Sequence, residues 1–448
     1  MKGLYLLPAL FLTTNVRAWL PEDRDLAAFN RSSGSLNRRV PSLPSYKIRG
    51  VNLGGWLVSE PWMMGNDRFG EWGTMGCWYN ENGEDKKRCS EFDCVSSLGQ
   101  SVANQRFNEH YARWITPDDI QRIHDAGLNT IRIPIGYWSF PDIVDSSEKF
   151  PVMDLQYLDR VVEKAAALGM LVVMDLHGAP GSQKALDAFT GQCLPVEWLP
   201  GFFTQTNYDR AKRWLDWMTR RIHNTASYKA TVGIIEVVNE PQTGRDSGSM
   251  PQQERDTLTQ VYYPQALGTV RAAENDLKIP SNERLHVQFM DNLWGAGDPK
   301  SHLPADNGII FDDHNYVSGA VEWDHGTPKQ GDYMWYTCYK DNRLDDSSTP
   351  KFVGEYSLTT GSHQDDDEFK WQNENNTPFY KQWFIAQQRL YEQTNGWIFW
   401  TWKNQLNDPR WDYSYLVNKG WVPTNAAGLD ASRDNDVCRT YFGTSDGR

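Results

Sequence analysis

The sequence predicts an α/β chain folded as a single (β/α)8 TIM barrel with enlarged βα loops. Three observations carry that prediction. Eight short apolar runs rich in β-branched residues are spread between residues 46 and 402, helical apolar spacing fills most of the intervals, and nearly every run stops at a polar or aromatic residue. Alternating strands and helices imply a parallel sheet, and eight such units in one chain imply closure into a barrel. An open doubly wound sheet prefers a Gly-rich dinucleotide fingerprint after its first strand; Gly54-Gly55-Trp56 does not match it.

The elements follow in order. Residues 48–53 read as the first strand, and the Gly-, Asn-, Asp- and Cys-rich stretch 60–100 follows. So long an irregular segment inside a domain is usually functional. A helix is expected over 117–126 with Gly127 as its C-cap, then a strand over 130–135. Helix 154–168 ends at Gly169, and strand 170–176 runs into His177-Gly178. Helix 208–223 precedes strand 233–238, where Ile and Val fit burial on both faces and Pro241 stops the ladder. Helix 256–274, strand 285–290, strand 309–311, strand 352–355, helix 378–392 and strand 397–402 complete the set. No repeat of short fixed period is present.

Composition narrows the function. Hydrophobic content is 39% and charged content 23%, ordinary for a globular chain. Aromatic content is 13%, with 20 Trp and 20 Tyr; flat apolar rings with polar edges are what sugar faces stack upon. A net charge of -13 argues against nucleic acid and anionic membranes as partners. Lys2, the apolar run 3–12 and Val16-Arg17-Ala18 mark residues 1–18 as a signal peptide, in a run too short to span a bilayer. Residues 19–45 are a polar N-terminal arm or propeptide, and 46–448 is the barrel domain. No second long apolar run occurs and the last residues are polar, so a secreted monomer without membrane insertion or lipid anchor is expected.

Six cysteines in such a chain permit three disulfides in 15 pairings. The CxxC pairs of a zinc site are missing. Asn30-Arg31-Ser32 and Asn375-Asn376-Thr377 are glycan acceptor sequences.

The strand ends carry the chemistry. Arg132 lies on the second strand, His177 closes the third, and Asn239-Glu240 close the fourth. His314 and Tyr316 follow the sixth, Glu355 the seventh, and Trp400 and Trp402 lie in or just after the eighth. Barrel sites sit at the C-terminal strand ends, so these residues converge on one rim. Two carboxylates there fit glycoside hydrolysis, and strands four and seven can bring them to the roughly 5 Å of a retaining enzyme. Glu240 is the expected acid/base, with Asn239 beside it for the sugar 2-hydroxyl. Glu355 is the expected nucleophile, positioned by Tyr316 and lowered in pKa by Arg132. His177 and His314 are expected as hydroxyl donors or organisers. Trp402, or alternatively Trp400, is expected as the floor under the sugar. Asp175 is read as structural and directed away from His177. Asp312 and Asp313 beside His314 are too close in sequence to share a ligand direction easily, so no metal is expected.

These residues resemble glycoside hydrolase family 5, the retaining (β/α)8 enzymes. The carriers are IRIP with Arg132, DLHGAPG with His177, NEP with Glu240, HNY with His314 and Tyr316, VGEYS with Glu355, and FWTWK with Trp402. RGVNLGGWLVSEPWM looks like the fungal β-1,6-glucanase and exo-β-1,3-glucanase branch. The resemblance implies a β-glucan substrate, the roles given to Glu240 and Glu355, and no cofactor. SEFDCVSSLGQ and the run 188–193 look more like the β-1,6 type, and KALDAFTG after PGSQ departs from the NGFDNSG of the exo-β-1,3 type. A β-1,6-glucanase is therefore preferred over an exo-β-1,3-glucanase. A non-catalytic glucan-binding wall protein would have lost one carboxylate, and both are present. Linkage specificity is expected from rim aromatics: Trp56, Trp62, Trp72 and Trp78 as platforms, Phe189 and Trp198 as walls.

Overall fold

Eight parallel strands pair in sequence order and close into a barrel: β1 (Ile48–Asn52), β2 (Thr130–Gly136), β3 (Leu171–Gly178), β4 (Val232–Glu236), β5 (His286–Met290), β6 (Ile309–His314), β7 (Lys351–Glu355) and β8 (Gly396–Phe399), with β8 pairing back to β1. This is a computed structural model, and it describes residues 46–65, 67–194, 199–242, 252–291, 298–341 and 349–443. The expected signal peptide and arm, the acceptor at Asn30, and Trp198 lie outside the described residues. Asn375 is exposed.

Helices cover the outside of the strands: α1 (Pro117–Asp125), α2 (Gln156–Ala167), α3 (Gln205–Asn224), α4 (Tyr263–Asp276), α5 (Val317–His325) and α6 (Thr377–Tyr391). Their starts follow from local chemistry. Thr116 and Asp119 form a capping box ahead of α1, which has Pro117 in its first turn, where a missing N–H costs nothing. Gly127 then turns the chain at φ +85°, and a Cβ there would sit 2.3 Å from the Ala426 backbone nitrogen. Between β5 and β6 the described residues hold only the short turn Pro299–Ser301. No helix among the described residues is long and apolar enough to cross a membrane.

The segment between β1 and α1 is more ordered than its composition implies. It contains a helical turn (Glu71–Thr74), a hairpin (Trp78–Glu81 with Glu84–Lys87) and two longer helices, Glu91–Leu98 and Gln100–Trp114. Buried polar contacts fix it: His110 Nδ1 lies 2.7 Å from Glu71 Oε1, and the Ser59 N–H donates to Glu91 Oε1 at 2.8 Å. Cys77–Cys94 staples it internally, Cys89–Cys193 ties it to the loop after β3, and Cys338–Cys438 joins the β6–β7 segment to the C-terminal helix Val437–Phe442. Trp56 and Trp72 are not platforms. Both are fully buried, donating their indole N–H to the Tyr111 and Arg88 carbonyls.

Period-two alternation divides the barrel interior into two layers. Ile48, Leu171, Val173, Ile234, Ile310, Phe352 and Ile398 form an apolar cluster of their own. Two positions further along the same strands stand Asp175, Glu236, Asp312 and Gly354, with Asn52 four beyond Ile48 and Arg132 from β2. The site is built on this upper, polar layer.

Candidate active site

Arg132 is the hub. Its guanidinium is fully buried and its fork is saturated. Nε donates to Glu236 at 2.9 Å, Nη1 to Asn52 at 3.0 Å and to Glu355 Oε1 at 2.9 Å, and Nη2 to Asn239 Oδ1 at 2.8 Å. Nη2 also pairs with Asp175 at 3.0 Å. A planar cation with donors on every edge suits such a cluster, as a point-charge ammonium would not. Gly354 is required beside it, because its N–H donates to Asp312 Oδ1 at 2.8 Å and a Cβ would fall 2.2 Å from that oxygen.

The two predicted carboxylates come together over this hub. Carboxylate oxygens of Glu240 and Glu355 and a ring nitrogen of His314 all lie within 4.8 Å of one another. His314 Nδ1 is 2.7 Å from Glu240 Oε1 and 3.5 Å from Glu355 Oε2. The Tyr316 hydroxyl donates to Glu355 Oε2 at 2.9 Å. Glu240 itself sits at φ +40° just before Pro241, a strained conformation of the kind held at functional sites by surrounding structure.

The electrostatics are uneven. Burial pushes the Glu240 carboxyl up, but Lys184 and His314 outweigh it and hold it down at about 2. Burial raises Glu355, opposed by His314 and Arg132 and helped by Glu240; the expected lowering by Arg132 is present but overruled. Burial lowers His314, yet Glu355 and Asp312 bring it well above the usual histidine range. Burial with nearby Glu355 and Glu240 pushes the Tyr316 phenol well up, so it stays a donor. Burial raises Glu236, with the pull of Arg132 opposing it and Asp175 and Asp312 adding to it. The two carboxyls are thus pushed in opposite directions, Glu240 down and Glu355 up.

His177 stacks on Trp400, with centroids 5.5 Å apart and planes 8° apart. Its Nδ1 is 2.7 Å from Asp175 Oδ2. Asp175 therefore points toward His177, not away from it: residues two apart on a strand share a face. Among the described residues His177 Nε2 has no hydrogen-bond partner, and it stands 4.0 Å from Glu60 Oε1, likewise unpartnered. Two buried polar atoms aimed at each other across that gap are what a ligand hydroxyl would satisfy.

Trp402, expected as the floor, turns away from the carboxylates, whereas its alternative, Trp400, stacks on His177. β8 ends at Phe399, so alternation no longer governs residue 402. The Trp402 backbone N–H donates to the Asn52 carbonyl, and its indole N–H donates to Asp119 on α1 at 3.2 Å. That ring belongs to the helix layer.

Three residues escaped the sequence reading. Glu60, within an irregular stretch, accepts from the Trp62 indole at 2.9 Å, and burial, with help from Glu355, raises its carboxyl to about 8. Trp411 joins Trp62 and Tyr316 in one aromatic rim, at 5.2 Å and 5.7 Å. Lys184 pairs with Glu240 Oε2 at 3.3 Å and Asp187 at 3.0 Å. Trp78 lies half-buried under Lys87 in the hairpin, and Phe189 packs edge-on against His177.

Glu240, His314 and Glu355, and separately Glu236, Asp312 and His314, are spaced to ligate an ion. Arg132 and the raised His314 place positive charge in both groups. The arrangement offers one carboxylate able to attack, a second able to exchange a proton, and a stacked ring beside them.

The cellulase model, glycosyl hydrolase family 5, matches residues 95–406. A glucan endo-1,6-beta-glucosidase B of Emericella nidulans is 40% identical over 443 residues, covering 97% of this chain and 100% of that protein. A glucan 1,3-beta-glucosidase of Kluyveromyces lactis is 29% identical, over 87% of this chain and 91% of its own length. A crystal structure of a rutinosidase from Aspergillus niger shares the fold at TM-score 0.60 and 20% identity, covering 84% of this chain and 98% of that one. With its family match and its relatives in agreement, the chain belongs to glycosyl hydrolase family 5 and is a glycoside hydrolase.

Proposed function

We propose that this protein is a secreted endo-β-1,6-glucanase acting by retaining double displacement on fungal-type cell-wall β-glucan. The carrying observation is the approach of Glu240 and Glu355 oxygens to within 4.8 Å, which fits the roughly 5 Å spacing of a retaining pair with a direct nucleophile. Glu355, aligned by Arg132 and Tyr316, attacks the anomeric carbon while Glu240 protonates the departing oxygen. Glu240 then takes a proton from the water that releases the sugar. Asn239, whose carbonyl is held by Arg132, offers its NH₂ to the 2-hydroxyl. Trp400 supports the sugar ring, and His177 with Glu60 receives further hydroxyls.

The β-1,6 linkage and internal cleavage follow the Emericella nidulans relative. An exo-β-1,3 reading is supported by the Kluyveromyces lactis relative and by the shared first-strand motif, with lower identity. Export rests on the N-terminal apolar run, and three disulfides agree with it. Sizing the products from a β-1,6-glucan such as pustulan beside a β-1,3-glucan such as laminarin tests the reading. A ladder of oligosaccharides from the β-1,6 polymer is expected; glucose alone from the β-1,3 polymer would replace it with the exo reading.

A further inference from the structure

In the free enzyme both oxygens of Glu240 are occupied. Oε1 receives His314 Nδ1 at 2.7 Å and Oε2 receives Lys184 Nζ at 3.3 Å. An acid that must reach a glycosidic oxygen needs one of them back. His314 is fully buried between Glu240, Glu355 and Asp312 and has nowhere to go. Lys184 is different: its side chain retains 21% exposure, it already touches Asp187 Oδ2 at 3.0 Å, and Asp187 is 40% exposed at the rim. The loop that carries both residues is pinned, by the Cys89–Cys193 disulfide and by the Leu186 N–H to Leu194 carbonyl bond at 3.0 Å. A long flexible ammonium on a fixed loop, shared between a catalytic and a rim carboxylate, is built to change partners.

We propose that Lys184 is a counter-ion displaced by the leaving-side sugar: its ammonium holds Glu240 Oε2 in the free enzyme and, as that sugar binds, swings to Asp187 and the sugar hydroxyls, opening Oε2 to the glycosidic oxygen. The proposal rests on the glycosidase reading above and names the residue that couples leaving-sugar binding to proton donation. The proton count closes. Withdrawing the cation favours the site's proton on Glu240 over Glu355, with His314 facing both carboxylates. Glu355, now ionised, forms its bond to the anomeric carbon as the bond to the leaving oxygen breaks. That oxygen takes the Glu240 proton, and nothing is oxidised or reduced. Lys184 acts through Glu240 and is a positioning residue that also reads the leaving sugar.

The test compares the wild-type protein with Lys184→Met, Lys184→Arg and Asp187→Asn, each first checked for a wild-type melting transition. Two substrates are used: a β-1,6-linked gluco-oligosaccharide, and 2,4-dinitrophenyl β-gentiobioside, whose leaving group is no sugar and needs no proton. Lys184→Met should lose roughly 10–100-fold in kcat/KM on the oligosaccharide, mostly through KM, the size of a lost charged hydrogen bond. On the dinitrophenyl substrate, which brings no leaving sugar to displace Lys184, it should show no loss. Lys184→Arg should restore part of the loss, and Asp187→Asn should move the ratio the same way.

The pH profile of kcat/KM is the second readout. Lys184, His314, Glu355, Glu60, Asp187 and Tyr316 all face Glu240. Removing the one cation that can leave raises the carboxyls around it, so the alkaline limb of Lys184→Met should move to higher pH. Equal losses on both substrates, or an unmoved alkaline limb, would overturn the proposal while leaving the glycosidase reading intact. A wild-type protein that cleaves no β-1,6 substrate would instead remove that reading, and the Lys184 proposal with it.

Discussion

The lower and upper layers of the barrel interior use the same strands to opposite ends. Below, Ile48, Leu171, Val173, Ile234, Ile310, Phe352 and Ile398 pack as one apolar cluster. Above, Arg132 meets Asp175, Glu236 and Glu355 within 3.0 Å, with Asp312 at 3.9 Å. The apolar layer gains stability in proportion to area removed from water and tolerates small losses. The charged layer is stable only as a complete set, because taking out one partner leaves the others buried and uncompensated. Tolerance and function therefore separate within about one turn of the pleat.

The largest expected effect is on turnover. Glu355→Gln should cut kcat by roughly 10⁴-fold or more while glucan binding persists; kcat within tenfold of wild type would remove Glu355 from the nucleophile role. Next, Arg132→Met should cost about 3–5 kcal/mol in urea denaturation, the measured scale for breaking a buried ionic cluster. A cost near zero would mean the upper layer is not one unit.

Buried carboxyls outside the dyad sharpen the contrast through pH. Burial raises Glu91 to about 8, with Ser59 pulling the other way. Its folded pKa exceeds its unfolded one, so its contribution is fully present below about 4.5 and is lost as pH rises to about 8. Glu91→Gln should flatten the fall in Tm between those values, which a scan at several pH settings reads directly. Smaller still, Trp400→Ala should raise KM roughly three- to tenfold, in line with the ~0.5–1.5 kcal/mol of a ring contact. Trp402→Phe should leave KM alone and cost about 1 kcal/mol of stability for its lost hydrogen bond. The smallest effect belongs to the apolar layer: Ile234→Val should cost about 0.5–1.5 kcal/mol with kcat/KM unchanged.

Most of the barrel is legible because a strand buried on both faces must be apolar until it reaches the rim. That is why Glu240, Glu355 and His314 stand out at the ends of such runs, and Arg132 as a lone charge within one. What failed did so where periodicity stops carrying information. Trp402 lies past the end of β8, Glu60 sits in a segment with no period, and Trp411 follows a stretch of turns. Asp175 was readable and misread, since a spacing of two on a strand puts it beside His177. Lys184 was visible as a departure in KALDAFTG, but only the folded chain puts its ammonium on Glu240.

The Cys89–Cys193 bond has a bearing on how such an enzyme can diversify. It joins two loops to each other and neither to a strand. The Phe92 N–H to Gly191 carbonyl bond at 3.0 Å reinforces the same seam. The rim is thus a semi-independent module, able to exchange residues around Lys184 and Asp187 without disturbing strand register. A lineage can drift in which linkage it cuts while inheriting its catalytic floor unchanged.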